Sequence, residues 1–284
     1  MNHEAPDHAH SFGGVADSYA RGRPSYPAEA ATWLTGHGRH VVLDLGAGTG
    51  KLTRVLADAG HRVYATDPSV EMLAHLRRAA PEAHATVGTA EQIPVASRSI
   101  DVVVCAQAFH WFDHEAALPE IARVLRPGGC LALVWNQRDE GIPWVRKLGR
   151  LIGTEGQDED LVKPLRETPY FGFVEERQFR IWQKLDRDTL MDLVRSRSYI
   201  AVMPEDERAA LLTEVGSLYD DYGRGHDGML LPYLTNCYRA VVRQQDPLAE
   251  PRRDEAAEDG EPTEESTRPP APPEDPGTQL IDFR

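Results

Sequence analysis

Residues 41–50, VVLDLGAGTG, constrain the fold of this chain more than any other stretch. An apolar run ending in Asp44 and Leu45 reads as a buried parallel strand. Gly46, Gly48 and Gly50 then alternate ahead of an amphipathic run over residues 52–59. The pattern is a strand, a tight glycine turn and a helix. Glycine suits that turn because it tolerates positive φ and lets a ligand approach bare backbone. The free N–H groups at the helix start face the same space.

Asp44 narrows the choice of ligand. A dinucleotide lays its pyrophosphate on a turn spaced G-x-G-x-x-G. Here the spacing is G-x-G-x-G, with a carboxylate two residues ahead of the first glycine. That anion repels a pyrophosphate and attracts an ammonium or sulfonium. S-adenosylmethionine carries both cations and no phosphate. The D-x-G-x-G-x-G pattern resembles the first motif of the class I methyltransferases.

At 284 residues and 41% hydrophobic composition the chain has enough material for a sizeable core. No apolar run is long enough to span a membrane, and the start, MNHEAPDHAHSF, lacks a signal-peptide pattern, so the expected location is the cytoplasm. Cys105, Cys130 and Cys237 are widely spaced in apolar or strand-like runs and read as reduced core residues. His3, His8 and His10 read as solvated side chains, and no metal site is expected. A net charge of −14 argues against a nucleic-acid surface.

Residues 1–10 are polar and predicted to be disordered. Residues 12–27 form an N-terminal arm carrying Tyr19, Arg23 and Tyr26, readable either as an ordinary arm or as a flap over the cofactor. Pro27 starts a helix over residues 28–34. Residues 62–66 predict a second strand and 84–88 a third. Residues 100–106, IDVVVCA, predict a central fourth strand, apolar throughout and covered on both faces. A helix is expected over 118–126, restarting at Pro119. Pro127-Gly128-Gly129 then breaks the chain before a fifth strand over 130–135.

Five such alternations predict an α/β fold, a doubly wound, mostly parallel sheet. Further on, helices are expected over 143–152, 187–198 and 204–222, with strands over 173–185 and 230–242. The total is about seven strands, and the methyltransferase resemblance implies that the last is antiparallel. The methyltransferase domain is expected over residues 11–245: a cofactor-binding core to 140, then a part that completes the sheet and walls the substrate site. Residues 246–284 hold twelve Asp or Glu, four Arg and eight Pro, which gives 4 − 12 = −8 of the −14, and predict an acidic disordered tail.

The acidic Asp67 ends the second strand about 20 residues past the first glycine, placed for both ribose hydroxyls of an adenosine or for capping the next helix. Met72 at helical spacing reads as core that also reaches the adenine. DLGAGTG, Asp67, TAEQIP and RVLRPGG each resemble, in order, motifs of the class I S-adenosylmethionine-dependent methyltransferases of the small-molecule group. YARGRPSYP and QAFHWFD resemble a branch that includes trans-aconitate methyltransferase-like proteins. The resemblance covers roughly residues 12–136 well. It implies S-adenosylmethionine as cofactor, held by Tyr19, Arg23, Asp44, Gly46, Gly48, Gly50, Asp67, Met72, Thr89, Ala90, Glu91 and Gln107. Thr89 departs from the family, which often carries Asp there, so adenine recognition falls to Thr89, the Ala90 backbone or Glu91.

The implied acceptor is a small molecule with an oxygen nucleophile, a carboxylate or a hydroxyl. A carboxylate needs no base but needs a cation to orient it, and Arg138 or Arg23 is placed to serve. Phe109, Trp111 and Trp135 are expected to wall the acceptor. His110 is the candidate catalytic residue, either taking a proton or hydrogen-bonding the acceptor. The competing account packs these rings under the arm. Two other readings are a nucleotide-dependent oxidoreductase on the same strand-turn-helix and a cofactor-binding module without turnover. The expected assembly is a monomer or homodimer, with no nucleic-acid or membrane partner.

Overall fold

A computed structural model describes residues 16–153, 160–223 and 228–243. The chain divides into two units, Met1–Gln245 and Asp246–Arg284. The second unit lies outside the described residues, as do the first fifteen residues with His3, His8 and His10.

Two helices open the described chain, α1 (Ala16–Gly22) and α2 (Ala28–Thr35). Strand and helix then alternate: β1 (Val41–Leu45), α3 (Lys51–Asp58), β2 (Arg62–Asp67), α4 (Val70–Ala79), β3 (His84–Val87), β4 (Ile100–Ala106), α5 (His114–Val124) and β5 (Leu125–Arg138). The second half adds α6 (Pro143–Ile152), α7 (Lys163–Glu167), β6 (Glu175–Leu185), α8 (Arg187–Arg195), α9 (Ser198–Ala201), α10 (Glu205–Tyr222) and β7 (Met229–Val241). The seven strands form one sheet in the order β3-β2-β1-β4-β5-β7-β6. β1 to β5 are parallel, and β7 runs antiparallel to both β5 and β6. This is the α/β arrangement expected from the sequence, with its last strand reversed.

Alternate residues of the central strands feed two cores, as the period of two requires. Leu43, Leu45, Val103, Cys105, Leu131 and Leu133 pack with Ile121 of α5 and Leu165 of α7. Val42, Val102, Val104, Ala132 and Val134 pack with Leu34 of α2 and Leu52 and Leu56 of α3. Each fully buried Leu or Val contributes about 1.5–3 kcal/mol. A separate cluster joins α6, α8 and α10 to Leu185, Met229, Leu231 and Tyr233 at the far end of β6 and β7. Among the described residues no helix is long and apolar enough to cross a membrane.

Two sequence expectations change. Pro119 does not restart a helix; α5 runs through it, with Asp113 capping the start by accepting from the Glu115 N–H at 3.1 Å. An interior proline costs about 3 kcal/mol, and the buried face of Ala117, Leu118, Ile121, Ala122 and Val124 offsets that. Nor does Pro127-Gly128-Gly129 end before the fifth strand. Leu125 already pairs with Ile100, the triplet bulges out, and pairing resumes at Cys130 with Val102. Gly128 takes φ 81°, and a Cβ on Gly129 would lie 2.8 Å from the Asp101 carbonyl, so the two glycines make the bulge possible.

Candidate active site

The glycine turn leaves the carboxyl end of β1, beside the end of β4, where parallel sheets of this kind place their ligands. Gly46, Gly48 and Gly50 all have positive φ, at 72°, 55° and 84°. Their needs differ beyond that. A Cβ on Gly46 would meet Ala108 Cβ at 2.6 Å and one on Gly50 would meet Leu76 Cγ at 2.8 Å, whereas one on Gly48 would have no atom within 4 Å. The outer glycines are therefore fixed by packing within the protein, and the middle one faces open space.

Asp67 closes the turn from the neighbouring strand. It is 8% exposed; Oδ2 accepts from the Gly48 N–H at 2.8 Å and Oδ1 from the Ser69 N–H at 2.9 Å. Burial raises its pKa, and these two backbone bonds oppose the rise. Each carboxylate oxygen keeps a second lone pair after these bonds. The helix cap proper is Ser69, whose Oγ accepts from the Met72 N–H. Met72 itself is buried on α4.

Asp44 points to the face of β1 that α3 covers and is fully buried. Its Oδ2 accepts from Thr53 Oγ1 at 2.6 Å, while Oδ1 has no protein partner. Burial pushes its carboxyl up to about 7 against the opposing Thr53 bond, with a smaller upward contribution from Asp67.

A cleft with about 510 Å³ of open space, partly continuous with solvent, lies between this turn and the N-terminal arm. Tyr19, Arg23, Pro24 and Tyr26 form its roof; Gly46, Gly48, Lys51 and Gln107 are among the residues of its floor, with Asn136 of β5 and Tyr233 of β7 closing one side. Gln107 adopts φ 58°, with its N–H donated to the Val134 carbonyl and its side-chain amide to the Asn136 carbonyl. The arm is fastened across the cleft. Arg21 Nε bonds Asp192 at 2.6 Å, Arg23 Nε donates to Ser196 Oγ at 3.0 Å, and Gln183 and Asn136 donate to the Gly22 and Ser25 carbonyls.

The remaining predicted residues fall elsewhere. Thr89 is exposed and Ala90 buried, while Glu91 accepts from the Asp113 N–H at 3.0 Å and so ties this loop to the start of α5. Neither the candidate catalytic residue His110 nor any of the proposed acceptor residues Phe109, Trp111, Trp135 and Arg138 lines the cleft. Phe109 is fully buried against Phe112 and His114. Trp135 is 3% exposed: Asn136 faces the cleft, so its neighbour on the strand faces the other side of the sheet. Arg138 Nη2 donates to the Gly153 carbonyl at 2.5 Å and pairs with Glu140. Trp111 is half exposed, its ring 4.7 Å from that of His110.

His110 accepts at Nδ1 from the Trp135 indole N–H, 3.4 Å away. Indole is a donor only, so this contact assigns the neutral imidazole's proton to Nε2. In that tautomer the ring proton sits on Nε2, and acting as a base at Nδ1 would cost His110 the indole bond. Sequence reasoning missed Lys51 and Tyr233 and, while placing Asn136 at this edge of the sheet, gave it no role. The position of Lys51, straight after the third glycine, was the available signal for the first; the other two depend on which face of a strand the turn overhangs.

Residues 43–133 match the family described as methyltransferase domain. An uncharacterized methyltransferase of Mycobacterium tuberculosis is 47% identical over 235 residues, 82% of this chain and 96% of that protein. The chain belongs to the class I S-adenosylmethionine-dependent methyltransferases. This methyltransferase is also 39% identical over 112 residues to a malonyl-[acyl-carrier protein] O-methyltransferase of Enterobacter lignolyticus, 39% of the chain and 44% of that protein. Among solved structures it resembles Haemonchus contortus phosphoethanolamine N-methyltransferase 2, solved with S-adenosylhomocysteine, at TM-score 0.51 and 17% identity. That match covers 84% of this chain and 59% of the other, and shares the fold alone.

S-adenosylmethionine is the cofactor of this enzyme, and two observations fit it to the site. The turn offers bare backbone at Gly48, and the buried Asp44 has an acceptor oxygen that no protein group satisfies.

Proposed function

We propose that this methyltransferase acts on a small-molecule acceptor through an oxygen nucleophile, a carboxylate ahead of a hydroxyl. The observation that supports the reading is the contact at His110, which lies outside the cleft lining: its Nδ1 accepts from the Trp135 indole N–H, so in the neutral imidazole the nitrogen able to take a proton is already engaged. A carboxylate is already ionised at neutral pH and needs no proton removed, whereas a hydroxyl does. The partial relative named for O-methylation agrees with an oxygen acceptor.

The cofactor supplies a methyl group on an activated sulfonium leaving group, transferred by in-line displacement. What remains for the protein is to bind, orient and exclude water. In this reading Asp67 uses its second lone pairs for the ribose hydroxyls. Asp44 balances the positive charge of the methionine end, and Met72, Thr89, Ala90 and Glu91 flank the adenine. Tyr19, Arg23 and Gln107 wall the methionine end, and the fastened arm keeps solvent out. Phe109 and Trp135 act by supporting the loop that carries His110 and Trp111, and Arg138 by anchoring the end of α6. The enzyme works in the cytoplasm as a monomer or homodimer.

Incubation with methyl-labelled cofactor and a cell extract, followed by mass spectrometry, tests the reading. A carboxylate acceptor gives a methyl ester whose label mild alkali releases as methanol. Label retained on nitrogen, sulfur or carbon would refute the oxygen assignment.

A further inference from the structure

A second cavity, with about 350 Å³ of open space partly continuous with solvent, lies on the face of the sheet turned away from the cofactor cleft. Trp135 and Gln137 of β5 line it while Asn136 between them lines the cleft, so the pleat of one strand separates the two. Asn236 and Tyr238 of β7 extend the floor, and Leu161 and Val162, just ahead of α7, form the facing wall. Among the described residues none lines both cavities.

Three side-chain amides give this floor a direction. Gln178 of β6 donates from Nε2 to Asn236 Oδ1 at 2.7 Å, and Asn236 donates from Nδ2 to Gln137 Oε1, also at 2.7 Å. The chain of donors therefore ends at Gln137, whose Nε2 makes no hydrogen bond among the described residues. Bonds aligned in this way polarise one another, which strengthens the last donor. Beside it Trp135 and Tyr238 meet edge to face, with ring centroids 5.9 Å apart. The Trp135 N–H is already given to His110, so the indole offers the cavity a ring and no donor.

Charge narrows the occupant. Arg166 also lines the cavity; its Nη1 donates to Asp160 Oδ1 and Oδ2 at 2.8 and 2.7 Å, and its Nη2 pairs with Glu176. Two carboxylates neutralise this guanidinium and leave one negative charge in excess, which repels an anion, and both are engaged by it, which leaves little for a ligand cation. A flat ring with a carbonyl that accepts from Gln137 suits the groups that remain.

We propose that this cavity is a second small-molecule site, which takes an uncharged planar compound with its ring between the Trp135–Tyr238 pair and the Leu161–Val162 wall and its carbonyl oxygen on Gln137 Nε2. The site is separate from the cofactor cleft, and its occupant lies against the indole that bonds His110.

The test uses the full chain with benzamide, benzoate and benzylamine, which share a ring and differ in charge, titrated by ligand-observed magnetic resonance. Benzamide is expected to bind saturably, with an affinity within about threefold of the same value when S-adenosylhomocysteine is saturating, and the two charged probes at least about tenfold more weakly. Hydrogen exchange in the benzamide complex is expected to slow over residues 135–138 and 160–166 and not over residues 46–51. Gln137→Glu keeps an oxygen for Asn236 and replaces the donor by a carboxylate oxygen. It is expected to weaken benzamide binding at least about tenfold, with S-adenosylhomocysteine affinity within about twofold of wild type. If Gln137→Glu melts below the wild type, Leu161→Trp, which fills the cavity from its facing wall, carries the same comparison. The proposal is overturned if benzamide does not bind the wild-type protein, if either charged probe binds as tightly, or if these variants bind benzamide as the wild type does. Protection at residues 46–51, or displacement of benzamide by S-adenosylhomocysteine, would also overturn it, because the probe would then occupy the cofactor cleft.

Discussion

In the proposed reading, in which Asp44 balances the charge of the cofactor's methionine end, cofactor binding depends on pH through this one buried residue. Its folded-state pKa of about 7 stands above the ordinary carboxylate value, with burial as the main cause. The folded protein therefore holds a proton that the unfolded chain has released between pH ~4 and ~7. Stability falls as pH rises through that window and levels off above it, by on the order of 4 kcal/mol from this residue. A cation bound nearby lowers the pKa again, so cofactor uptake near pH 7 is expected to release a proton and to weaken as pH drops below 7. Calorimetry in buffers of different ionisation enthalpy measures this, and Asp44→Asn should abolish the buffer dependence. Identical heats in every buffer for the wild type would uncouple Asp44 from the cofactor. Asp67 is a different case, because its oxygens already serve Gly48 and Ser69. Asp67→Ala is expected to weaken cofactor binding at least about tenfold and also to lower stability by about 1–3 kcal/mol, since two backbone donors lose their acceptor. Unchanged affinity in a folded variant would remove Asp67 from the cofactor site.

At the scale of elements, the arm matters through its attachment to α8. Gly22 ends α1 against the backbone of α8 so closely that a Cβ there would lie 2.2 Å from the Leu193 nitrogen. Asp192 accepts from Arg21 and Ser18, and the Arg21 bond is the main reason its pKa is held below the usual value. Gly22→Ala is expected to push α1 off α8, costing about 1–3 kcal/mol and weakening cofactor binding through loss of the roof of the cleft. Thermal melting and cofactor titration check the two effects; an unaltered protein would mean that the arm adapts without consequence.

For the whole molecule, composition carries one prediction. Removing residues 246–284 takes away −8 of the −14 net charge and few apolar side chains. Truncation after Gln245 is expected to leave melting temperature and cofactor affinity nearly unchanged while raising the isoelectric point. A large loss of stability would show that the terminal residues dock on the first unit.

Local chemistry decided what the sequence alone could determine. Glycines with positive φ, an acid at the end of β2 and the unbroken apolar run of β4 each follow from neighbours within a few residues. That was enough for the strand-turn-helix and the doubly wound sheet; the reversed last strand came with the resemblance to the methyltransferases. The α5 proline and the β5 bulge were misplaced because burial of the whole apolar face of α5 and pairing with β4 outweigh local breakers. The acceptor wall was the least legible part. Phe109, Trp135 and Arg138 have the right types at the right end of the sheet, but the pleat sends Trp135 away from the cleft and contacts at the end of α6 claim Arg138. Conversely, nothing local marks Asn136 or Tyr233 as cleft residues, and Lys51 is marked only by its place straight after the third glycine. They meet only because β7 inserts antiparallel beside β5 and the arm folds back over both, contacts between segments far apart in sequence that tertiary packing alone brings together.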